Sequence, residues 1–279
     1  MYKIEYKEKL NDSVTLMKIC APDVSRKAKA GQFVILRVTD DGERIPLTVA
    51  DSDEKNGTVT IIFQAVGATT MALNDKNAGD YIPTFVGPLG KATELDGLKK
   101  VAVVGGGVGT AIAYPIAKTL KNQGAEVHSI IGFRNKDIII LESEFKKVSD
   151  KLVVCTDDGS YGEKGLVTDA LKTLIENGEN YDEVITIGPL VMMKFVAKLT
   201  EKYGIKTVAS MNPVMIDGTG MCGGCRLTVD GKMKFACVDG PDFDAHKVDF
   251  DEVIKRNGVY RDFEQRKKEE YCNLFKGVK

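Results

Sequence analysis

The pattern of apolar residues changes once along this chain, at Lys99, and that single change restricts it to a few architectures. From Tyr2 to about Gly97 the apolar segments are short and separated by turn residues such as Asn56-Gly57. They fall at residues 14–17, 32–38, 45–50 and 58–66. Strands at this spacing with no helical pattern between them predict a closed barrel or a sandwich, and one barrel domain fits. Beyond Lys99, residues 100–104 form a continuous apolar strand, 105–109 a glycine-rich turn, and 113–123 a helical pattern stopped by Gly124. Further strand patterns at 127–133, 152–156, 184–188 and 207–211 alternate with helical ones at 166–176 and 189–203. That alternation predicts a parallel sheet covered on both faces. Pro115 is tolerated only in the first turn of a helix, which places the helix start near Ile112.

With 279 residues the chain exceeds one ordinary domain and accommodates two cores with a small appendage. Apolar residues make up 43% and charged ones 28%, as in soluble globular proteins, and a net charge of -1 gives no case for nucleic acid or an anionic membrane. The first residues lack the apolar core of a signal peptide, and no apolar run approaches the ~20 residues of a membrane helix. A cytoplasmic location is expected, where free thiols persist.

The strongest chemical signal is the run Asp217-Gly-Thr-Gly-Met-Cys222-Gly-Gly-Cys225, followed by Cys237. Glycines between Cys222 and Cys225 let the backbone curl so that both sulfurs can face one iron. Residues 226–230 and 232–236 read as two strands around Asp230-Gly231, a hairpin that returns Cys237 toward the loop. Asp217 is the nearest candidate for a fourth donor. Zinc is the rival metal, because Cys3His sites are common. However, His246 lies in a charged acidic stretch and His128 in a strand pattern. A redox disulfide requires a strand-to-helix setting, whereas this motif precedes a strand. Cys20, Cys155 and Cys272 have no partner at ligand spacing and read as small buried hydrophobes.

The turn at 105–109 lies between a strand and a helix, the setting in which backbone N–H groups and a helix N-terminus receive a pyrophosphate. It departs from the dinucleotide fingerprint. Counting from Gly105 or Gly107, the last fingerprint position falls on Thr110 or Ile112. A nicotinamide nucleotide bound in another manner is compatible, as is simple close packing of helix on strand.

Taken together, the strand-rich first domain, the Gly105–Gly109 turn, the Gly132-Phe-Arg134 strand end and the C-terminal cysteines resemble the ferredoxin-NADP reductase superfamily. The likeness is greatest to its branch of electron-transfer subunits. That branch includes the dihydroorotate dehydrogenase electron-transfer subunit and the small subunit of NADH-dependent ferredoxin:NADP oxidoreductase, also called sulfide dehydrogenase.

The resemblance implies an FAD-binding β-barrel at 1–97, an NAD-binding α/β parallel-sheet domain at 98–211, a 2Fe-2S lobe at 212–245 and a helical tail at 246–279. It implies FAD contacts from Arg44, Pro46, Leu47 and Thr48, where the arginine stands one position earlier than in the family's Arg-Pro-Ile-Ser pattern. Phe63, Gln64, Ala65, Thr69 and Thr70 match the segment that passes the flavin, and Gly87 and Pro88 a third segment. NAD(H) contacts fall on Gly107, Val108, Gly109, Arg134, Asp157 and Asp158, and Gly188 to Met193 line the same cleft. The two aspartates favour NADH over NADPH, because a 2'-phosphate beside them is repelled.

In the cluster segment the resemblance implies metal ligation by Asp217, Cys222, Cys225 and Cys237, with Asp217 where the dihydroorotate type has cysteine. That exchange points to the ferredoxin:NADP oxidoreductase type. The implied activity is exchange of electrons between NAD(H) and FAD, and singly through the cluster to a larger iron-sulfur flavoprotein subunit, with no acid-base dyad. Two alternatives stand beside it. One is the electron-transfer subunit of an NAD-dependent dihydroorotate dehydrogenase with an FMN partner, and the other is a zinc-stabilised nucleotide-binding protein. In the tail, Phe263, Tyr271, Leu274 and Phe275 make an amphipathic face for packing on its own domain or on a partner.

Overall fold

Seven strands build the first domain: β1 (Tyr2–Lys9), β2 (Val14–Cys20), β3 (Phe33–Arg37), β4 (Ile45–Asp53), β5 (Thr58–Gln64), β6 (Tyr81–Ile82) and β7 (Thr84–Leu89). The coordinates are a computed structural model that describes residues 1–276, with side chains as far as Asn273. The strands lie in the order β6-β1-β2-β5-β4-β3-β7, all paired antiparallel. The outer strands β6 and β7 are separated only by Pro83, so the sheet curls until its edges are joined by the chain itself. Of the two architectures expected, the barrel forms.

Along β3, Val34 and Leu36 enter the barrel core with Ile4, Met17, Ile61 and Phe85. Phe33 and Ile35 point the other way into a separate core. The unbroken Phe-Val-Ile-Leu run is therefore that of a strand buried on both faces. Two helices absent from the sequence expectation, α1 (Pro22–Ser25) and α2 (Ala68–Asp75), interrupt the strands. Thr70, in the first turn of α2, accepts at its hydroxyl from Val66 N at 3.1 Å and from Gly67 N at 3.0 Å.

The second sheet comprises β8 (Lys100–Gly106), β9 (Glu126–Phe133), β10 (Lys151–Thr156), β11 (Glu163–Lys164), β12 (Glu183–Ile187) and β13 (Thr207–Ser210). Its order is β11-β10-β9-β8-β12-β13, parallel throughout, as the alternating pattern predicts. Helices α3 (Gly109–Asn122), α4 (Glu142–Val148), α5 (Val167–Glu176) and α6 (Leu190–Lys202) connect the strands. The chain leaves β8 toward β9 on one side and later returns to β12 on the other, so strand order reverses between β8 and β12. Helix α3 begins at Gly109 rather than near Ile112, with Pro115 inside it. Tight bonds, Thr110 N to Gly107 O at 3.2 Å and Ala111 N to Val108 O at 3.0 Å, open the helix early. Burial of the Pro115 ring offsets the hydrogen bond that proline cannot make.

Beyond β13 the chain forms the hairpin β14 (Arg226–Val229) and β15 (Lys232–Phe235), then β16 (Asp242–Asp244). Asp230 and Gly231 at the tip have φ of 53° and 68°, the turn that an Asp-Gly pair predicts. Strand β16 runs antiparallel to β13 and so ties this lobe to the second sheet. Helices α7 (Phe250–Asn257) and α8 (Arg261–Lys276) complete the charged, helical tail. Phe250 and Val253 of α7 are buried with the lobe. Helix α8 crosses to the barrel, where Tyr271 Oη donates to Asp75 Oδ2 on α2. The side chains of Leu274 and Phe275 lie outside the described residues. Among the described residues, no helix is long and apolar enough to cross a membrane.

Candidate functional site

In open α/β sheets, ligands sit beyond the carboxyl ends of the strands where strand order reverses. A cavity of ≈ 770 Å³ occupies that position, between the ends of β8 and β12 and the barrel. Its walls include Gly107, Val108, Gly109, Arg134 and Asp157, with Gly188, Pro189 and Met192 opposite. Gln64 and Val66 bring the barrel to it. Gly107 adopts φ 55° and donates its N–H to Gly132 O at 2.9 Å. Gly109 lets the start of α3 approach the end of β12: a Cβ there would stand 2.6 Å from Ile187 O and 2.7 Å from Gly188 Cα. The glycines therefore both pack helix on strand and leave a concave floor at a helix N-terminus. That floor fits a dinucleotide pyrophosphate. Asp158 is not among the cavity walls, and hydrogen bonds from the Ser160 hydroxyl and from Ser160 N, the latter at 2.9 Å, hold its carboxyl low.

Sequence reading did not single out Phe195, Ser210 or Asn212, which also line the cavity. Ser210 ends a parallel strand, and the position at the end of each such strand was the available signal.

The barrel candidates gather at one end of β4. Leu47 turns into the barrel, while Pro46 and Thr48 pair with Ile35 and Phe33 and share their outward face. Phe63 is buried in the barrel core, so only its backbone is free to meet a cofactor. The hydroxyl of Thr70 caps α2, whereas that of Thr69 donates to Glu43 Oε2 at 2.9 Å beside Arg44. Arg44 Nη2 donates to Asp217 O at 3.1 Å, and its Nε is buried without a partner. An orphaned cationic donor at this end suits a phosphate or another anionic group. Gly87 and Pro88 lie on β7, where a Cβ on Gly87 would come 2.7 Å from Val34 Cγ1.

The cysteine loop packs on that same face. Phe33 and Ile35 of the barrel share one core with Met193 and Ala197 of α6 and with Met215, Cys225, Leu227 and Cys237 of the lobe. Gly218, Gly220 and Gly223 take φ of 84°, 83° and 69°, turns that only glycine adopts at little cost. The Cys225 and Cys237 sulfurs are 3.2 Å apart and buried, while Cys222 is exposed with Gly224 N donating to its sulfur at 3.5 Å. The spacing suggested Cys222 and Cys225 for one iron; the close pair in the structure is Cys225 with Cys237. Asp217-x4-Cys222-x2-Cys225 followed by Cys237 has the plant-type 2Fe-2S spacing, in which the ligands divide between two irons.

Burial pushes the Cys237 thiol up to about 12, with the Cys225 sulfur adding to the effect. Bound to iron, Cys225 and Cys237 would be held as thiolates. The Asp217 carboxyl is held low by its hydrogen bond from Thr219, with a smaller contribution from Arg44.

A single-ion site is not assembled from the cysteines. Among the described residues, the one group of three candidate ligand atoms within 4.8 Å of one another is Glu126, His128 and Glu179. Lys100 Nζ lies 2.8 Å from Glu126 Oε1 and 2.6 Å from Glu179 Oε2, so that group is an ion-pair network. His128 also bonds to Tyr181 Oη at 2.9 Å, and His246 Nε2 to Thr200 Oγ1 at 3.0 Å. Neither histidine joins the cysteines, which counts against a Cys3His zinc site.

Comparison with known proteins agrees with this geometry. Residues 212–249 match the iron-sulfur cluster binding domain of dihydroorotate dehydrogenase B. The chain is 47% identical over 263 residues to a dihydroorotate dehydrogenase B (NAD(+)) electron transfer subunit homolog of Thermotoga maritima, covering 94% of this chain and 93% of that one. It is 34% identical over 235 residues to the dihydroorotate dehydrogenase B (NAD(+)) electron transfer subunit of Geobacillus thermodenitrificans, covering 81% and 88%. Among solved structures it superposes on a chain of NADH-dependent reduced ferredoxin-NADP oxidoreductase, studied for flavin-based electron bifurcation. The TM-score is 0.92 with 45% identity over 98% of each chain. A ferredoxin-reductase-like barrel, a parallel-sheet domain and an iron-sulfur lobe are thus combined in one chain, which belongs to the family of dihydroorotate dehydrogenase B electron-transfer subunits.

Proposed function

We propose that this chain is the electron-transfer subunit of an NADH-dependent ferredoxin:NADP oxidoreductase, working in the cytoplasm with a larger iron-sulfur flavoprotein subunit. The cofactors FAD and a 2Fe-2S cluster supply the chemistry when bound, taking a hydride from NADH and releasing its electrons singly. The protein contributes placement. Gly107, Val108 and Gly109 offer backbone N–H groups and a helix start to the pyrophosphate of NADH, and Gln64 and Val66 close the cavity from the barrel side. Arg134 and Asp157 stand at the adenosine side, where the Asp157 carboxylate favours a ribose hydroxyl over a 2'-phosphate. Pro46 and Thr48 present the barrel face to the flavin, and Asp217, Cys222, Cys225 and Cys237 hold the cluster.

The observation that carries this reading is the shared core. Phe33 and Ile35, on the face bearing Pro46 and Thr48, lie in one buried core with Cys225 and Cys237 and with Met193 and Ala197 of α6. Close packing fixes the separations on which electron transfer depends. The exit lies at the exposed side of the loop, where Cys222 is accompanied by Met221, 88% exposed, with Ile216 and Val238 also exposed. Apolar side chains grouped at the mouth of a redox loop suit a partner subunit. A dihydroorotate dehydrogenase complex is the second reading, favoured by the likeness to dihydroorotate dehydrogenase B electron transfer subunits.

The test is to count flavin, iron and acid-labile sulfide per chain on protein purified without oxygen, and to record its visible spectrum before and after NADH. The expected result is one flavin with two irons and two sulfides, bleached by NADH more readily than by NADPH. Bound zinc without flavin or iron overturns the reading.

A further inference from the structure

We propose that Arg44 is the positioning residue of the cluster loop, holding its Asp217 end against the barrel and raising the electron affinity of the metal centre held there. This rests on the 2Fe-2S reading above.

Arg44 precedes β4, and its Nη2 donates to the backbone carbonyl of Asp217, 173 residues away in sequence. An arginine is always charged. Among the described residues Arg44 has no carboxylate at ion-pair distance, and its Nε is buried with no acceptor. The nearby Glu43 carboxylate is engaged by the Thr69 hydroxyl instead. A half-buried guanidinium without a carboxylate partner is costly unless it faces negative charge.

The loop supplies that charge. Between Asn212 and Cys225 the only ionisable side chains besides the thiols belong to Asp217. Thr219 N, at 3.1 Å, and the Thr219 hydroxyl both donate to Asp217 Oδ2, which fixes that carboxylate next to the carbonyl held by Arg44. The next residue, Gly218, is pressed onto the barrel: a Cβ there would come 2.6 Å from Ile35 Cδ1 and 2.8 Å from Leu89 Cδ1. The loop is therefore anchored at this point by a charged hydrogen bond and by close packing, both from the barrel. One-electron reduction adds a negative charge to a cluster ligated here, and a cation beside it stabilises the reduced form.

The experiment compares Arg44→Gln and Arg44→Lys with the parent protein, all purified without oxygen. Iron, sulfide and FAD are counted, and the cluster midpoint is read by EPR-monitored titration. In Arg44→Gln the reduced-to-oxidised ratio at a fixed potential is expected to fall about tenfold, equal to about 59 mV for a one-electron couple. Arg44→Lys keeps the charge and is expected to recover most of that shift. Loss of iron from both variants with FAD retained supports the holding role. A full cluster with an unmoved midpoint in Arg44→Gln overturns the proposal. Loss of FAD with an unmoved midpoint also overturns it, and assigns Arg44 to a flavin phosphate. If the parent protein carries no cluster, the 2Fe-2S reading itself falls, and this inference with it.

Discussion

Replacing Gly109 by alanine tests whether the nucleotide floor depends on close approach of backbone to backbone. The new Cβ meets Ile187 O at 2.6 Å, Gly188 Cα at 2.7 Å and Gly188 N at 2.9 Å. All three are backbone atoms, so no side chain can rotate away, and α3 must move from the end of β12 by roughly 0.7 Å to restore ordinary contact. Overpacking of this kind costs about 1–3 kcal/mol. Alanine returns up to about 1 kcal/mol through helix propensity, and less at the first helical position. The net expectation is destabilisation by about 0.5–2 kcal/mol, at about 2–4 °C of melting temperature per kcal/mol.

Both parts pushed apart, the α3 start and the Gly188-Pro189 turn, line the cavity. NADH affinity is therefore expected to fall on the order of tenfold, about 1.4 kcal/mol. Gly124→Ala is the control, at the other end of the same helix. Its φ is 86° with nothing within 4 Å of a Cβ, so it costs about 1–2 kcal/mol from the left-handed backbone alone. It should leave NADH binding unchanged. Melting curves and NADH titration of the flavin spectrum read both variants. If Gly109→Ala binds NADH as tightly as Gly124→Ala does, close approach does not shape the site.

Two further expectations follow from single carboxylates. Asp242 Oδ1 is shielded without a hydrogen-bond partner; burial raises this carboxyl's pKa, opposed by the hydroxyls of Thr93 and Ser210. A raised folded-state value means that the stability it contributes is full below the unfolded pKa of about 3.9 and is lost as pH rises through the folded value. Asp242→Asn should thus stabilise by about 1–3 kcal/mol at pH 8 and hardly at all near pH 4. An equal effect in melts at both pH values would show that ionisation is irrelevant. Asp217→Ala should lower iron content and alter the EPR signal, whereas Asp217→Cys should keep the iron and change only the signal. Unchanged iron and signal in the alanine variant would remove Asp217 from the ligand set.

Much of the fold was legible because its periodicities are strong. Each strand of the parallel sheet from β8 to β13, apart from the two-residue β11, lies within two residues of its expected bounds, since strands buried on both faces read as apolar runs. Likewise Asp230-Gly231 gives its hairpin because few other pairs take that turn. The helix start at Gly109 was misplaced because a local proline rule was outweighed by tertiary burial of Pro115. Helices α1, α2 and α4 were not anticipated, being too short to show a period.

For the proposed site, the residue types and their spacing are in the sequence: glycines for the proposed phosphate floor, thiols and a carboxylate for the proposed iron ligands. A spacing records neither which sulfurs meet nor what lies across from a loop. Only the tertiary structure paired Cys225 with Cys237, placed Arg44 on Asp217 and put Phe33 and Ile35 in one core with the cluster lobe and α6. These contacts join segments far apart in the chain, and they exist because three surfaces, each too apolar to face water, bury one another at the same place.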